Sequence, residues 1–131
     1  MTNKYDVLGI GNAIVDVLTH VDDDFLNNQK LDKGGMMLVS AAEAAKVYEN
    51  LGQCIECSGG SAANTIAGLA SMGSKTSFIG KVNEDQLGRV FQHDIRALGA
   101  NFDTAVLNDG PPTAHCLVLV TPDAERTMCP Y

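Results

Sequence analysis

A glycine pair followed by small residues constrains the fold of this chain more than any other feature. The stretch from Cys57 to Gly73 begins with an extended-looking segment, turns at Gly59 and Gly60, and continues through many alanines. Glycine permits a turn with positive φ, and a glycine commonly follows the last residue of a helix. The pattern therefore predicts a strand, a tight turn and a helix that ends at Gly73 and packs closely on a sheet.

The start of this predicted helix also offers polar groups to a ligand. The first backbone N–H groups of a helix have no intrahelical acceptor, so they attract oxygen-rich ligands. Asn64, one turn into the helix, adds an amide that both donates and accepts hydrogen bonds. Taken alone, however, such a stretch more often marks an ordinary strand-to-helix turn of an α/β domain.

Composition excludes several classes of protein. The chain has 131 residues, 45% of them hydrophobic, which suits one folded domain with a core rather than a disordered chain. A formal net charge of −7 without any Lys/Arg run argues against nucleic acid as a partner. No apolar stretch is long enough to span a membrane, and no signal peptide is apparent. Its four cysteines are then expected to be reduced thiols, and the expected location is the cytoplasm.

The amino-terminal segment predicts a strand that ends at a ligand-binding edge. Residues 5–10 are mostly apolar, and this run ends in the glycines of Gly9-Ile10-Gly11. A dinucleotide fingerprint would need another glycine where Ile14 stands, so that interpretation is rejected. Asn12 and Asp16 lie at or just beyond the carboxyl end of this strand. In open α/β sheets ligands bind at that edge.

The remaining pattern predicts an α/β fold with a small β-sheet lid. Strands and helices alternate up to Gly99, which indicates parallel strands joined by helical crossovers. The lid strands are predicted at about residues 13–21, 36–39 and 102–131, the last range being a meander that includes a strand at 102–106. The run Asp22-Asp23-Asp24 is interpreted as a solvated turn rather than a metal site, because hard cations need spaced ligands from a shaped loop.

Four motifs together carry a family resemblance. They are residues 11–16 (Gly-Asn-Ala-Ile-Val-Asp), 59–64 (Gly-Gly-Ser-Ala-Ala-Asn), Gly73, and 79–88 (Ile-Gly-Lys-Val-Asn-Glu-Asp-Gln-Leu-Gly). In this order and spacing the chain resembles the amino-terminal part of a ribokinase-like (PfkB family) sugar or nucleoside kinase. Within that family it is most similar to adenosine kinases. The resemblance implies a three-layer core with a parallel sheet, present in part, and a β-sheet lid.

The resemblance also implies an activity and a set of site residues. The expected reaction is phosphorylation of a primary hydroxyl of a nucleoside or sugar, with ATP and Mg²⁺ as cofactors. Arg126 is expected to reach the transferred phosphate, and no metal ligand is assigned in this chain. The substrate-binding residues are expected to be Asn12, Asp16, Gly59, Gly60, Asn64, Met37, Leu38 and Cys116.

One expected part of such a kinase is missing from the sequence. The catalytic aspartate of the family lies in a Gly-Ala-Gly-Asp type motif, and no Gly-x-Gly-Asp occurs in these 131 residues. The chain is therefore expected to be a fragment or partial record, inactive alone. The alternative is a non-catalytic module that binds a ligand or pairs two copies through the lid, and a homodimer of that kind stays open.

Overall fold

The computed structural model describes residues 4–131 as a mixed α/β protein, the class predicted from the sequence. Its elements in chain order are β1 (Val7–Ile10), β2 (Ile14–His20), α1 (Asp23–Gln29), α2 (Ala41–Glu49), β3 (Ile55–Gly59), α3 (Ser61–Ser71), β4 (Thr76–Ile79), α4 (Gln86–Ala97), β5 (Ala114–Val120) and β6 (Arg126–Pro130). They belong to two compact units. The first unit contains the chain up to Val15 together with Cys57–Ala114, and the second contains Asp16–Glu56 and His115–Tyr131.

The first unit is built on a parallel strand pair covered by α3. β1 and β4 pair in register from Val7 opposite Thr76 to Ile10 opposite Ile79. α3 contacts both strands, and a Cβ placed on Gly9 of β1 would come within 2.5 Å of Ile66 Cγ1. This close approach confirms that the small-residue helix packs tightly against the strands.

An aromatic cluster and α4 complete the core of the first unit. Phe78, Phe91 and Phe102 are fully buried, and their ring centroids lie 5.4 to 6.0 Å apart. Asp85 caps α4 by accepting a hydrogen bond from the Gly88 N–H at 2.7 Å. Aromatic rings at these separations attract each other beyond the area that they bury.

The second unit contains most of a four-stranded sheet in the order β3-β2-β5-β6. β5 and β6 are antiparallel, from Cys116 opposite Pro130 to Val120 opposite Arg126. Its two helices, α1 and α2, contribute to the core, and α2 begins with a capping box formed by Ser40 and Glu43. The buried side chains of this unit include Val17, Thr19, Leu26, Ala44, Val47, Leu117, Leu119, Thr127 and Cys129.

Three predicted segments differ from the structure. The predicted solvated turn at residues 22–24 instead begins α1, because the Asp22 carboxylate accepts a hydrogen bond from the Phe25 N–H and caps the helix. The predicted strand at 36–39 is reduced to a single bridge between Met36 and Met128. The predicted strand at 102–106 is absent, since Phe102 packs into the aromatic cluster instead of a ladder.

Candidate functional site

The turn between β3 and α3 brings two of the predicted site residues together. Gly60 is the N-cap of α3 and has φ of +90°, a backbone conformation that residues other than glycine rarely adopt. A Cβ on Gly60 would lie 3.0 Å from the main-chain oxygen of Asn12. The position therefore requires glycine for two reasons, the backbone conformation and the neighbouring Asn12 backbone.

Two further glycines allow backbone segments to meet at the same edge. A Cβ on Gly11 would come within 2.8 Å of the Ala62 Cβ, and a Cβ on Gly80 within 2.8 Å of the Gly11 carbonyl oxygen. The Gly11 N–H donates to the carbonyl of Ile79 at 3.1 Å, which continues the parallel pairing past the end of β1. The carboxyl ends of β1 and β4 and the start of α3 thus approach so closely that a side chain at Gly11 or Gly80 would collide with Ala62, Phe78 or the Gly11 backbone.

Sequence reasoning did not identify Gly80 as part of this edge. The available signal was the place of Gly80 in the motif at residues 79–88, but its importance depends on β4 lying beside β1. We name the junction of Gly11, Asn12, Gly60 and Gly80 the glycine edge.

Polar groups surround the glycine edge within the first unit. Asn12 is exposed there, and Asn64 is exposed in the first turn of α3, where its backbone N–H donates to the Gly60 carbonyl at 2.8 Å. No side chain caps the N-terminus of α3. Gly59, the last residue of β3, is buried beside the turn. Two carboxamides and a helix start without a side-chain cap can together bind the hydroxyl groups of a polar ligand.

The second unit holds Asp16 and Cys116 within electrostatic range of each other. Asp16 is half-buried in β2, and burial raises the pKa of its carboxyl group. Burial raises the pKa of the Cys116 thiol to about 11, and the negative charge of Asp16 contributes to the same shift. The thiol of Cys116 is therefore neutral at physiological pH, and this buried side chain acts as a small apolar group near a carboxylate.

Met37 and Leu38 lie in an extended segment along the edge of β6, which we name the edge segment (residues 34–39). The Met37 N–H donates to the Met128 carbonyl at 2.9 Å, and the Val39 N–H donates to β6 in the same way. The side chains of Met36 and Leu38 are 69% and 81% exposed. The edge segment therefore presents apolar side chains that the second unit does not bury.

Arg126 begins β6, where it lies opposite Val120 at the edge of the β5–β6 hairpin. Its side chain is exposed, and among residues 4–131 its guanidinium forms no ion pair. A cation in this setting can bind an anionic group.

The described residues do not form a metal centre or a membrane span. Within residues 4–131, no three His, Cys, Asp or Glu side chains come together in a way that can hold a metal ion. Over the same residues no helix combines the length and apolar character needed to cross a bilayer.

Comparison with known proteins assigns the family. Residues 31–131 match the sequence profile of the pfkB family carbohydrate kinases. The chain belongs to this family. The predicted resemblance is thereby confirmed, and the family assignment covers the edge segment, the glycine-pair turn and β6.

Solved structures of related proteins have the same fold. Adenosine kinase from Sinorhizobium meliloti is 50% identical, with a TM-score of 0.84 over 98% of this chain and 39% of that one. A probable sugar kinase from Rhizobium etli CFN 42 is 44% identical, with a TM-score of 0.85 over 99% of this chain and 39% of that one. These overlaps confirm the ribokinase-like α/β fold expected for a pfkB family member.

A curated relative from the same family shows how much of a kinase the chain represents. Fructokinase from Salmonella typhimurium is 32% identical over 80 residues, which is 61% of this chain and 26% of that protein. The chain thus spans about a quarter of this relative and 39% of the two solved structures.

Proposed function

We propose that the protein carrying this chain transfers a phosphoryl group from ATP to a primary hydroxyl of a nucleoside or sugar. In this proposal, residues 1–131 supply the binding site for the acceptor, the molecule that receives the phosphoryl group, together with the lid. The glycine edge is the observation that carries the proposal. Its glycines let the backbone segments pack closely against each other, and the exposed Asn12 and Asn64 beside them can donate to or accept from the hydroxyls of a sugar ring.

Asp16 has a distinct role in this proposal. A carboxylate can accept hydrogen bonds from two adjacent hydroxyls of a ribose-type ring, and such charge-assisted bonds are stronger than neutral ones. Asp16 follows Asn12 by four residues and is half-buried in β2. Partial burial makes its contact with a diol less exposed to competition from water.

Holding the acceptor is itself a large part of the proposed catalysis. Phosphoryl transfer in enzymes depends mainly on positioning and electrostatic stabilisation rather than on covalent chemistry by the protein. ATP supplies the phosphoryl group and Mg²⁺ neutralises phosphate charge in kinases. In this proposal no residue of the chain is assigned to Mg²⁺ or to ATP. Arg126 is proposed to contact the transferred phosphate.

A nucleoside, adenosine first, is the proposed acceptor. The solved adenosine kinase is 50% identical over 98% of this chain. The fructokinase is 32% identical over 61% of this chain. Met37 and Leu38, 41% and 81% exposed, offer apolar surface, which suits a purine face better than a hydroxylated sugar.

Residues 1–131 alone are proposed to be inactive, because they contain no Gly-x-Gly-Asp for a catalytic base and anion hole. A second candidate function is a module that pairs two copies through the lid. The exposed apolar side chains of the edge segment favour this alternative.

The test of the proposed function is an ATP-dependent phosphorylation assay on the full-length protein, with adenosine, ribose and fructose as acceptors. Gly60→Ala should lower kcat/KM for the preferred acceptor by at least about tenfold, because it strains φ and crowds the Asn12 oxygen. Gly68→Ala is the matched control, since it lies in the same helix with open space around its Cβ position. Circular dichroism and thermal melting confirm that both variants are folded.

Two results contradict the proposal. One is the absence of phosphoryl transfer to all three acceptors by the folded wild-type protein, which would favour the pairing module. The other is a folded Gly60→Ala variant with the activity of Gly68→Ala, which would remove the glycine edge from the site.

A further inference from the structure

A lysine just before the edge segment bridges two distant carboxylates of the second unit. Lys33 Nζ lies 2.7 Å from Asp23 Oδ1 and 2.7 Å from Asp123 Oδ2. Asp23 is in the first turn of α1, and Asp123 is in the turn between β5 and β6. One ammonium group therefore connects α1, the β5–β6 turn and the start of the edge segment.

The Asp123 carboxylate is itself held in place. Its Oδ1 atom accepts a hydrogen bond from Thr121 Oγ1 at 2.7 Å, and Thr121 is buried. The bond from Lys33 and the bond from Thr121 together lower the pKa of Asp123 to about 2. Because its second oxygen is fixed, Asp123 gives Lys33 a defined position, unlike a mobile surface carboxylate.

The residues directly after Lys33 set how the edge segment lies along β6. The Gly34 N–H donates to Thr127 Oγ1 at 3.0 Å, and the Gly35 carbonyl accepts from the Met128 N–H at 2.9 Å. Gly34 has φ of +75°, and a Cβ there would lie 2.7 Å from Glu125 Oε1. The chain therefore turns sharply at Gly34 and enters the edge of β6 immediately afterwards.

The edge segment has an apolar anchor only at its far end, where Val39 is buried. Met36 and Leu38 are largely exposed, and Met36 forms only a single bridge with Met128. At its near end, backbone hydrogen bonds and the contacts at Lys33 must then fix where Met36, Met37 and Leu38 lie.

We propose that Lys33 is a positioning residue for the acceptor, whose bridge to Asp23 and Asp123 holds the edge segment in register along β6. The inference rests on the proposed function, in which Met37 and Leu38 of the edge segment contact the acceptor. Lys33 itself touches no reacting atom. Its loss should therefore weaken acceptor binding more than it slows the chemical step.

The experiment compares Lys33→Met, Lys33→Arg and Lys46→Met in the full-length protein, with adenosine as the varied acceptor. Lys46 is the matched control, since it is an exposed lysine of α2 in the same unit and forms no ion pair among residues 4–131. Lys33→Met should raise the KM for adenosine about three- to fivefold, the upper range for an exposed ion pair, with kcat nearly unchanged. Lys33→Arg should restore most of the affinity because it keeps the charge.

Salt supplies a readout that a purely structural role would not change. Raising NaCl from about 0.05 to 0.5 M screens exposed ion pairs, so the wild-type KM should rise toward that of Lys33→Met while the variant responds less. If Lys33→Met does not fold, Asp123→Asn keeps the side-chain size and removes the charge, and it should give the same change in KM.

The outcomes separate this inference from the proposed function. Equal KM values for Lys33→Met and Lys46→Met overturn the role of Lys33, and so do equal losses of kcat and affinity that Lys33→Arg does not reverse. The proposed acceptor site is tested by Gly60→Ala in the same assay. If Gly60→Ala raises the KM and Lys33→Met does not, the site stands and the positioning role fails. If Gly60→Ala has no effect, the site fails whatever Lys33 shows.

Discussion

At the scale of single residues, Asp16 combines partial burial with a predicted role that needs a charge. Burial raises the pKa of its carboxyl group above the ordinary value of 3.8. A carboxylate loses its ability to accept from both hydroxyls of a diol when it is protonated. The binding of the proposed acceptor should therefore depend on pH in a range where an exposed aspartate is already fully ionised.

Asp16→Asn keeps the shape of the side chain and removes its charge. We expect it to weaken acceptor binding by on the order of 1.5–3 kcal/mol for each hydrogen bond lost to the charged group. Isothermal titration calorimetry on the full-length protein measures this change. Wild-type affinity should also fall as the pH is lowered through the raised pKa of Asp16, and the variant should lose this pH dependence.

Asp24→Asn, on the exposed surface of α1, is the control for a general loss of charge. Unchanged affinity in Asp16→Asn, at a pH where the wild type binds tightly, would remove Asp16 from the site. A pH dependence that persists in the variant would assign the titration to another group.

At the scale of elements, a buried hydroxyl links the start of α4 to the start of β5. Thr113 Oγ1 donates to Asp85 Oδ1 at 2.7 Å and accepts from the Asn83 N–H at 2.9 Å, while the Thr113 N–H donates to Asp85 Oδ2 at 2.8 Å. Burial alone would raise the pKa of Asp85, but the bonds from Thr113 and Gly88 outweigh it and lower that pKa. The N-cap of α4 and the residue before β5 are thus held by one network.

Thr113→Val removes the hydroxyl from this network and keeps the volume of the side chain. It leaves the Asn83 N–H without this acceptor and Asp85 without one donor, and each such loss in a buried setting costs about 1–3 kcal/mol. We expect the free energy of unfolding of the full-length protein, measured by chemical denaturation, to fall by at least the cost of one such loss, about 1–3 kcal/mol. Thr113→Ser, which keeps the hydroxyl, should lose less. Equal stability of the two variants would show that the hydroxyl contributes little.

Local signals predicted helix boundaries well where a cap or a glycine marks them. Gly73 and Gly99, which end the predicted helical segments, both adopt positive φ, and the pair Ser40 and Glu43 with capping-box spacing does form that cap. The helix α1 was missed because its C-cap is Lys30, which adopts φ of +57° without the usual glycine.

Predicted strands failed where tertiary contacts replaced a ladder. The edge segment forms backbone bonds on β6, but with only one bridge at Met36. Phe102 joins the aromatic cluster, and isolated bridges form on either side of the predicted strand, from Asn101 to Ser77 and from Leu107 to Asn83. Strand propensity describes a side chain's fit to a pleated surface, and it does not reveal which neighbour will supply that surface.

At the scale of the whole molecule, the sequence motifs were predictable, but the division of the chain into two compact units was not. Sequence reasoning placed Asn12 and Gly60 in a ligand site, and the structure brings their backbones together. The chain passes between the two compact units after Val15, Glu56 and Ala114. No composition change marks these points, because they depend on contacts between segments that are distant in sequence.

The final prediction concerns which acceptor stabilises the full-length protein. A ligand that binds only the folded state stabilises it by mass action, by about 2.7 kcal/mol at a concentration one hundred times Kd. This added stability raises the melting temperature. We expect adenosine to raise the midpoint more than ribose or fructose at equal concentration. The physical reason is that the apolar side chains at Met37 and Leu38 favour a purine face over a hydroxylated ring.

Two variants attribute that stabilisation to its source. Leu38→Ser should reduce the shift produced by adenosine and leave the smaller shift produced by ribose, because Leu38 is 81% exposed and lies outside the core. Asp16→Asn should reduce both shifts, since both ligands carry the diol. A larger shift with fructose or ribose than with adenosine would reverse the proposed preference and make the acceptor a sugar. An adenosine shift that Leu38→Ser leaves intact would instead keep the nucleoside and place its base away from the edge segment.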